Sequence, residues 1–149
     1  MKNKRILLPI IILAVLTVIL AVINIANAPE VAEGDLLIVA NGKEISVRVA
    51  SENLKPVIGT LVNGKGDQIP VDGKGLPLRD VLALTNIHTF ETVTVTARDE
   101  YGAQISAAEL LEEGKCYLLI EPDSSIRLVV FGDSNSKRNV TDVIKLTVS

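Results

Sequence analysis

The chain has 149 residues, with 15 Lys and Arg against 18 Asp and Glu and a formal net charge of −3. It contains one Cys, one His, two Tyr, two Phe and no Trp. That inventory excludes an intramolecular disulfide and a zinc site built from several His and Cys ligands, and it disfavours an aromatic platform for stacking sugars or bases.

In chain order, the first feature is Met1-Lys-Asn-Lys-Arg5, followed by a nearly unbroken apolar run from Ile6 to Ile23. A helix rises about 1.5 Å per residue and the hydrocarbon core of a bilayer is about 30 Å thick, so residues 6–26 are long enough to span it. Pro9 falls in the first turn, where its missing N–H costs little. Thr17 is the one polar residue between Ile6 and Ile23, and its hydroxyl can bond back to its own helix. Lys2, Lys4 and Arg5 stay in the cytoplasm by the positive-inside rule. The spacing therefore predicts a basic tail and transmembrane signal-anchor over 1–28, a stalk over 29–34 and an extracytoplasmic domain over 35–149. The protein is expected in the cell membrane, crossing it once. The alternative is secretion after cleavage near Ala28, since Ala26-Asn27-Ala28 has small-x-small spacing. Two features favour retention: the apolar run exceeds the roughly 7–15 residues of a usual signal-peptide core, and Pro29 would follow the cut directly. No Cys comes directly after the run, so the usual attachment site of a lipoprotein is missing.

All 18 acidic residues lie beyond the tail, while its three basic residues leave 12 of the 15 for the outer domain, which is thus close to −6. Such a domain has no general attraction for nucleic acid.

Leu36-Leu-Ile-Val-Ala40, Asn41-Gly42 and the alternating Ile45-Ser-Val-Arg-Val49 predict a β-hairpin over 36–49. Val57–Val62 reads as a third strand. Asn63-Gly-Lys-Gly66 and Asp72-Gly-Lys-Gly75 read as turns on either side of a short Gln68–Val71 segment. Pro77 opens a short helix with Leu78, Val81, Leu82 and Thr85 on one face. Residues 91–97 alternate cleanly, Val93, Val95 and Ala97 inward and threonines outward. Asp99–Gly102 is a turn. Ser106-Ala-Ala-Glu109 has capping-box spacing and opens a second short helix, with Gly114 as its stop. Residues 115–120, 126–131 and 140–148 are three further strands. The expected fold is an α+β domain: β-rich, mixed or antiparallel, with two short helices.

The chemical motifs are weak. Gly59-Thr-Leu-Val-Asn-Gly64-Lys65 has most of a P-loop spacing, but Gly66 stands where Ser or Thr must hold magnesium and no long helix follows; a hairpin tip is the better reading. His88 has no recognisable nucleophile partner and reads as a loop or helix-end residue. Asp133-Ser-Asn135 starts like a calcium loop, which Lys137 and Arg138 break. Glu109, Glu112 and Glu113 fit an exposed helix face. Cys116, inside an apolar run, reads as a small buried hydrophobe. Asn139-Val-Thr141 has glycosylation spacing.

Four stretches resemble, in order, the molybdopterin-binding domain of the sulfite-oxidase family. Gly75-Leu-Pro-Leu-Arg-Asp-Val-Leu82 resembles its "G-x-P-L-x-D-L-L" helix start, and Ala97-Arg-Asp-Glu-Tyr-Gly102 its "x-x-D-G-Y" turn. Ile105–Leu110 resembles the short helix that follows. Ile126-Arg-Leu-Val-Val130, Lys137 and the strand 140–148 resemble its "P-L-R-L-V-x-P … K-x-V-K-x-I" ending. The resemblance implies a compact, β-rich mixed α+β scaffold. It also exposes departures. The family's enzymes hold molybdenum through a cysteine thiolate upstream of the "G-x-P-L" helix, whereas residues 57–74 contain no Cys and Cys116 lies downstream. The aromatic residue near the final Lys is missing, and Phe131 replaces the Pro after "R-L-V-V".

The resemblance with those departures implies a non-catalytic binding or interaction module; with the anchor read from residues 1–28, a membrane or envelope protein is its expected partner. One alternative is a redox accessory protein or oxidoreductase component that holds a pterin-type cofactor without cysteine; another is a structural cell-envelope protein. No catalytic or metal residue is assigned, and no cofactor is predicted, molybdopterin being the one that the resemblance admits. For an anionic ligand, Arg79, Arg127, Lys137 and Arg138 are the candidate contacts, against the competing reading of solvated surface or structural ion pairs.

Overall fold

The computed structural model describes residues 13–17, 19 and 31–149. The chain divides into two units, residues 1–30 and 31–149. In the first, residues 13–17 and 19 are helical and exposed, and Thr17 Oγ1 donates to Leu13 O at 2.8 Å. No helix among the described residues is long and apolar enough to cross a membrane; the anchor expected over 6–26 falls mostly outside them.

The second unit is β-rich with two short helices. Strand β1 (Asp35–Ala40) and strand β2 (Lys43–Arg48) form the expected hairpin. Asn41 (φ 51°) and Gly42 (φ 73°) make its two-residue turn. Positive φ at both central residues gives the turn a twist that matches the flanking strands. A 3-10 turn, Val49–Ser51, leads to the second sheet. Strand β3 (Lys55–Val62) pairs with β4 (Gln68–Pro77), and helix α1 (Leu78–Ala83) follows directly. Strands β5 (Thr92–Ala97) and β6 (Gly102–Ser106) return to the first sheet. Helix α2 (Ala107–Leu111) leads to β7 (Cys116–Ile120) and β8 (Ile126–Val130). Strand β9 (Val143–Val148) lies between β1 and β5, parallel to the first and antiparallel to the second.

The result is a five-stranded mixed sheet, β2-β1-β9-β5-β6, and a four-stranded antiparallel one, β3-β4-β7-β8. Alternation in the first sheet sends Leu36, Ile38, Val93, Val95, Ile105 and Leu146 inward. They meet Leu76, Leu118, Leu128 and Val130 of the second sheet, with Leu78, Val81 and Leu82 of α1 and Leu110 of α2 in the same core. Each fully buried side chain of this size contributes about 1.5–3 kcal/mol.

Strands β7 and β8 lack alternation because both of their faces are covered. Val57, Leu61 and Val71 of the β3–β4 hairpin form a second cluster with Leu119 and Val129, packed against Tyr117 and Phe131. This arrangement corrects the expectation of a turn at 72–75: β4 runs unbroken through it. A Cβ at Gly75 would lie 2.1 Å from Leu118 O, so glycine here is the condition for β4 to lie against β7 rather than a sign of chain reversal. Helix α2 runs through Leu110 and Leu111 as expected, with Gly114 (φ 79°) in the turn beyond, and one smaller correction concerns the last strand, which starts at Val143 after an isolated bridge between Val140 and Leu128.

Candidate functional site

Helix α1 begins where β4 ends, with Pro77 as N-cap residue. Helix α2 begins where β6 ends, and Ser106 and Glu109 form the expected capping box: Ser106 Oγ accepts from Glu109 N at 3.3 Å, and Ser106 N donates to Glu109 Oε2 at 3.1 Å. The buried faces of both helices dock on the core and leave Arg79 on the outside between them.

Two shallow grooves meet at Arg79 and Leu110. One, of about 380 Å³, is walled by Ala83, Ile87, His88, Phe90 and Leu111. The other, of about 360 Å³, is walled by Glu112, Glu113, Gly114, Cys116 and Tyr117. Arg79 Nε lies 3.4 Å from Asp80 Oδ1, and its Nη2 lies 3.9 Å from Glu113 Oε1. The first groove is mostly apolar, and the second carries the carboxylates of Glu112 and Glu113. His88 is exposed, in the loop after α1, as the sequence suggested.

Cys116 borders the second groove, but its thiol is not poised for chemistry. Burial first, and then the negative charge of Glu109, pushes it up to about 11. A thiol raised in this way is a poor nucleophile at neutral pH, because the thiolate is the attacking form.

The four candidate cations do not converge. Arg79 sits on α1. Arg127, on β8, lines a separate groove with Glu121, Asp123, Ser125 and Thr141; its Nη1 lies 3.5 Å from Glu121 Oε1. Arg138 is held internally: Nε and Nη2 donate to the two Asp133 oxygens at 2.8 and 2.6 Å, and Nη1 lies 2.8 Å from Glu109 Oε1. The Asp133 hydrogen bonds lead in holding Arg138 well above its usual range, with Glu109 adding to them against burial. Lys137 is exposed, and its carbonyl accepts from the Tyr101 hydroxyl.

Two sequence readings change here. Glu109 is part of an ion-paired network rather than an exposed face, because Arg138 and Lys115 (3.6 Å) reach it; Glu112 and Glu113 are exposed as expected. Asp133 is committed to Arg138, so the calcium-like spacing has no free first carboxylate. The P-loop-like stretch is β3 and the loop after it, where Asn63 Oδ1 accepts from the Lys65 and Asp67 amides at 2.8 and 2.9 Å. Asn139 is also engaged: its Oδ1 accepts from Val130 N at 3.0 Å.

No group of three or more His, Cys, Asp or Glu that could hold a metal occurs among the described residues. No protein-family model matches the chain, and no curated protein matches it at a significant level.

Proposed function

We propose that this chain is a membrane-anchored, extracytoplasmic, non-catalytic binding module on a scaffold like the molybdopterin-binding domain of the sulfite-oxidase family. The observation that carries the non-catalytic part is the placement of Cys116: the one thiol of the chain is buried in β7, where burial raises its pKa. Residues 57–74, where that family's enzymes carry their ligand, form a β-hairpin without cysteine. Three of the four candidate cations are ion-paired to carboxylates of the same chain. The apolar side chains of Leu13, Val15, Leu16 and Ile19 are exposed on helical residues of the first unit, as a lipid-facing segment requires.

One observation favours the redox-accessory reading. Arg127 Nε is fully buried and has no hydrogen-bond partner among the described residues, beside a groove of about 420 Å³ that also holds Ser125 and Thr141. A buried donor without a partner is costly, and an anionic ligand would satisfy it. Equilibrium dialysis of the full chain against a reduced pterin phosphate, with wild type and Arg127→Ala side by side, separates the readings. The binding-module reading expects no saturable uptake by either. Uptake by wild type that Arg127→Ala abolishes, with its fold intact, overturns that reading in favour of the other.

A further inference from the structure

We propose that two copies of this chain associate by antiparallel pairing of β2 with β2, centred on Ser46, so that the five-stranded sheet continues from one copy into the other. This inference does not depend on the function proposed above. It starts from the hydrogen-bond parity of the β1–β2 hairpin. Ala40 faces Lys43 across the two-residue turn, so the Lys43 N–H points to β1 as the closing bond of the turn. Backbone groups alternate in direction along a strand. Lys43, Ile45 and Val47 therefore bond to β1, and Glu44, Ser46 and Arg48 turn their N–H and C=O groups to the outer edge. No hydrogen bond among the described residues reaches the backbone of Glu44 or Ser46 on that edge, and every residue of β2 except Val47 is exposed.

Each of the other sheet edges is interrupted at one or more positions. Strand β3 carries Pro56, which has no N–H to offer. Strand β8 is met by Val140, with Leu128 N donating to Val140 O at 2.8 Å, and by the Asn139 side chain on Val130 N. Strand β6 ends in the capping box, where Glu109 takes the Ser106 N–H.

The chemistry of β2 selects a second copy as its occupant. With Ser46 opposite Ser46 of the partner subunit, the outward groups of both strands face each other in phase. In that register Glu44 stands opposite Arg48 of the partner subunit, and the two-fold axis repeats the pair. Opposite charges facing across strands are favourable, and like charges are not. Arg48 keeps its bonds to Asp35 Oδ1 and Oδ2, at 2.7 and 3.2 Å, on the same face. On the core side, Ile45 stands opposite Val47 of the partner subunit. Ile45 is 37% exposed in the single chain, and Val47 is only partly packed on the core. Pairing covers both and lengthens the core across the joint. Centring on Ile45 instead puts Glu44 against Ser46, and centring on Val47 puts Ser46 against Arg48; both lose the complementary charges. Setting Lys43 against Arg48 opposes like charges and breaks the bonding phase. An isologous contact of this kind closes on itself and does not propagate.

The test uses the full chain in detergent. In a hydrogen-bonded antiparallel pair the Cα atoms are about 5.5 Å apart, inside the range a disulfide spans. Ser46→Cys is expected to form a covalent dimer under mild oxidation much faster than Ser134→Cys, which places a thiol on an exposed turn elsewhere. Sedimentation then compares wild type with Ser46→Pro and Glu44→Lys. Ser46→Pro removes an N–H that only the dimer uses, and Glu44→Lys sets a lysine against Arg48 of the partner subunit. Each is expected to raise the dimer dissociation constant by about tenfold or more, with the circular dichroism of wild type. Equal crosslinking of the two cysteine variants overturns the proposal. So does a dimer that survives Ser46→Pro in folded protein, since that dimer is held through another surface. If Ser46→Pro does not fold, the crosslinking comparison decides alone.

Discussion

Arg138 Nη1 lies 2.8 Å from Glu109 Oε1, and this contact ties the loop after β8 to the first turn of α2. The same guanidinium grips Asp133 within its own loop, so Arg138 is a clasp between a helix cap and the segment that leads to β9. This is a structural use of a residue that the sequence offered as an anion contact.

The clasp sets an acid response. Burial pulls the Glu109 carboxyl upward, but the Ser106 amide, Arg138 and the Ser106 hydroxyl outweigh it and bring it down from 4.5 to about 2. A carboxylate with a lowered pKa contributes stability that is full above its unfolded value and is lost as pH falls through the folded one. Its contribution is about 2 kcal/mol after allowing for partial solvent screening. Thermal unfolding followed from pH 7 to pH 2 should therefore show an acid loss between about pH 4.5 and pH 2. Glu109→Gln should lower stability at pH 7 by about 1–2 kcal/mol and flatten that part of the curve.

Cys116 should behave as a core residue. At pH 8 a maleimide should leave the native chain unlabelled, and labelling should rise with denaturant in step with unfolding. Fast labelling of folded protein would contradict the burial and raised pKa described above.

Two glycines should respond differently. Gly75→Ala drives a Cβ into the Leu118 carbonyl, a backbone atom that cannot step aside. Gly59→Ala meets the Phe131 ring at 2.5 Å, a half-buried side chain that can rotate. Chemical denaturation should give a loss of about 3 kcal/mol or more for the first and about 1 kcal/mol for the second. Phe131→Leu should recover part of the Gly59→Ala loss and none of the Gly75→Ala loss.

Helix α2 offers a neighbouring contrast. Leu110→Ala should cost about 2–4 kcal/mol, because Leu110 is buried in the main core, and Leu111→Ala less than about 0.5 kcal/mol. Leu111 is 76% exposed. Equal losses would mean that the α1–α2 surface is packed differently.

Much of the fold was legible where one local rule decides the structure. Asn41-Gly42 marked the hairpin, the Val93, Val95 and Ala97 alternation marked β5, and Ser106 with Glu109 marked the start of α2. Failures fell where tertiary contact decides. Asp72-Gly-Lys-Gly75 has turn composition, yet its glycines serve close strand approach, which no local rule separates from a bend. Strand β6 was missed because its five residues, Gly102–Ser106, sit between a turn and a cap with a weak apolar signal. Arg138 with Asp133 and Glu109 was not legible as a cluster, since two of the three meet only after α2 has docked. The Cys116 environment was legible in kind, from the apolar run around it. The resemblance in the C-terminal half rests on the order of short motifs, and such an order fixes neither a cofactor nor a partner.

The most direct test of the non-catalytic account is the molybdenum and pterin content of the full chain, purified from its native host. The account predicts a folded protein that carries neither in stoichiometric amount. Molybdenum or pterin near one equivalent would contradict it and would make the chain a cofactor-holding redox component.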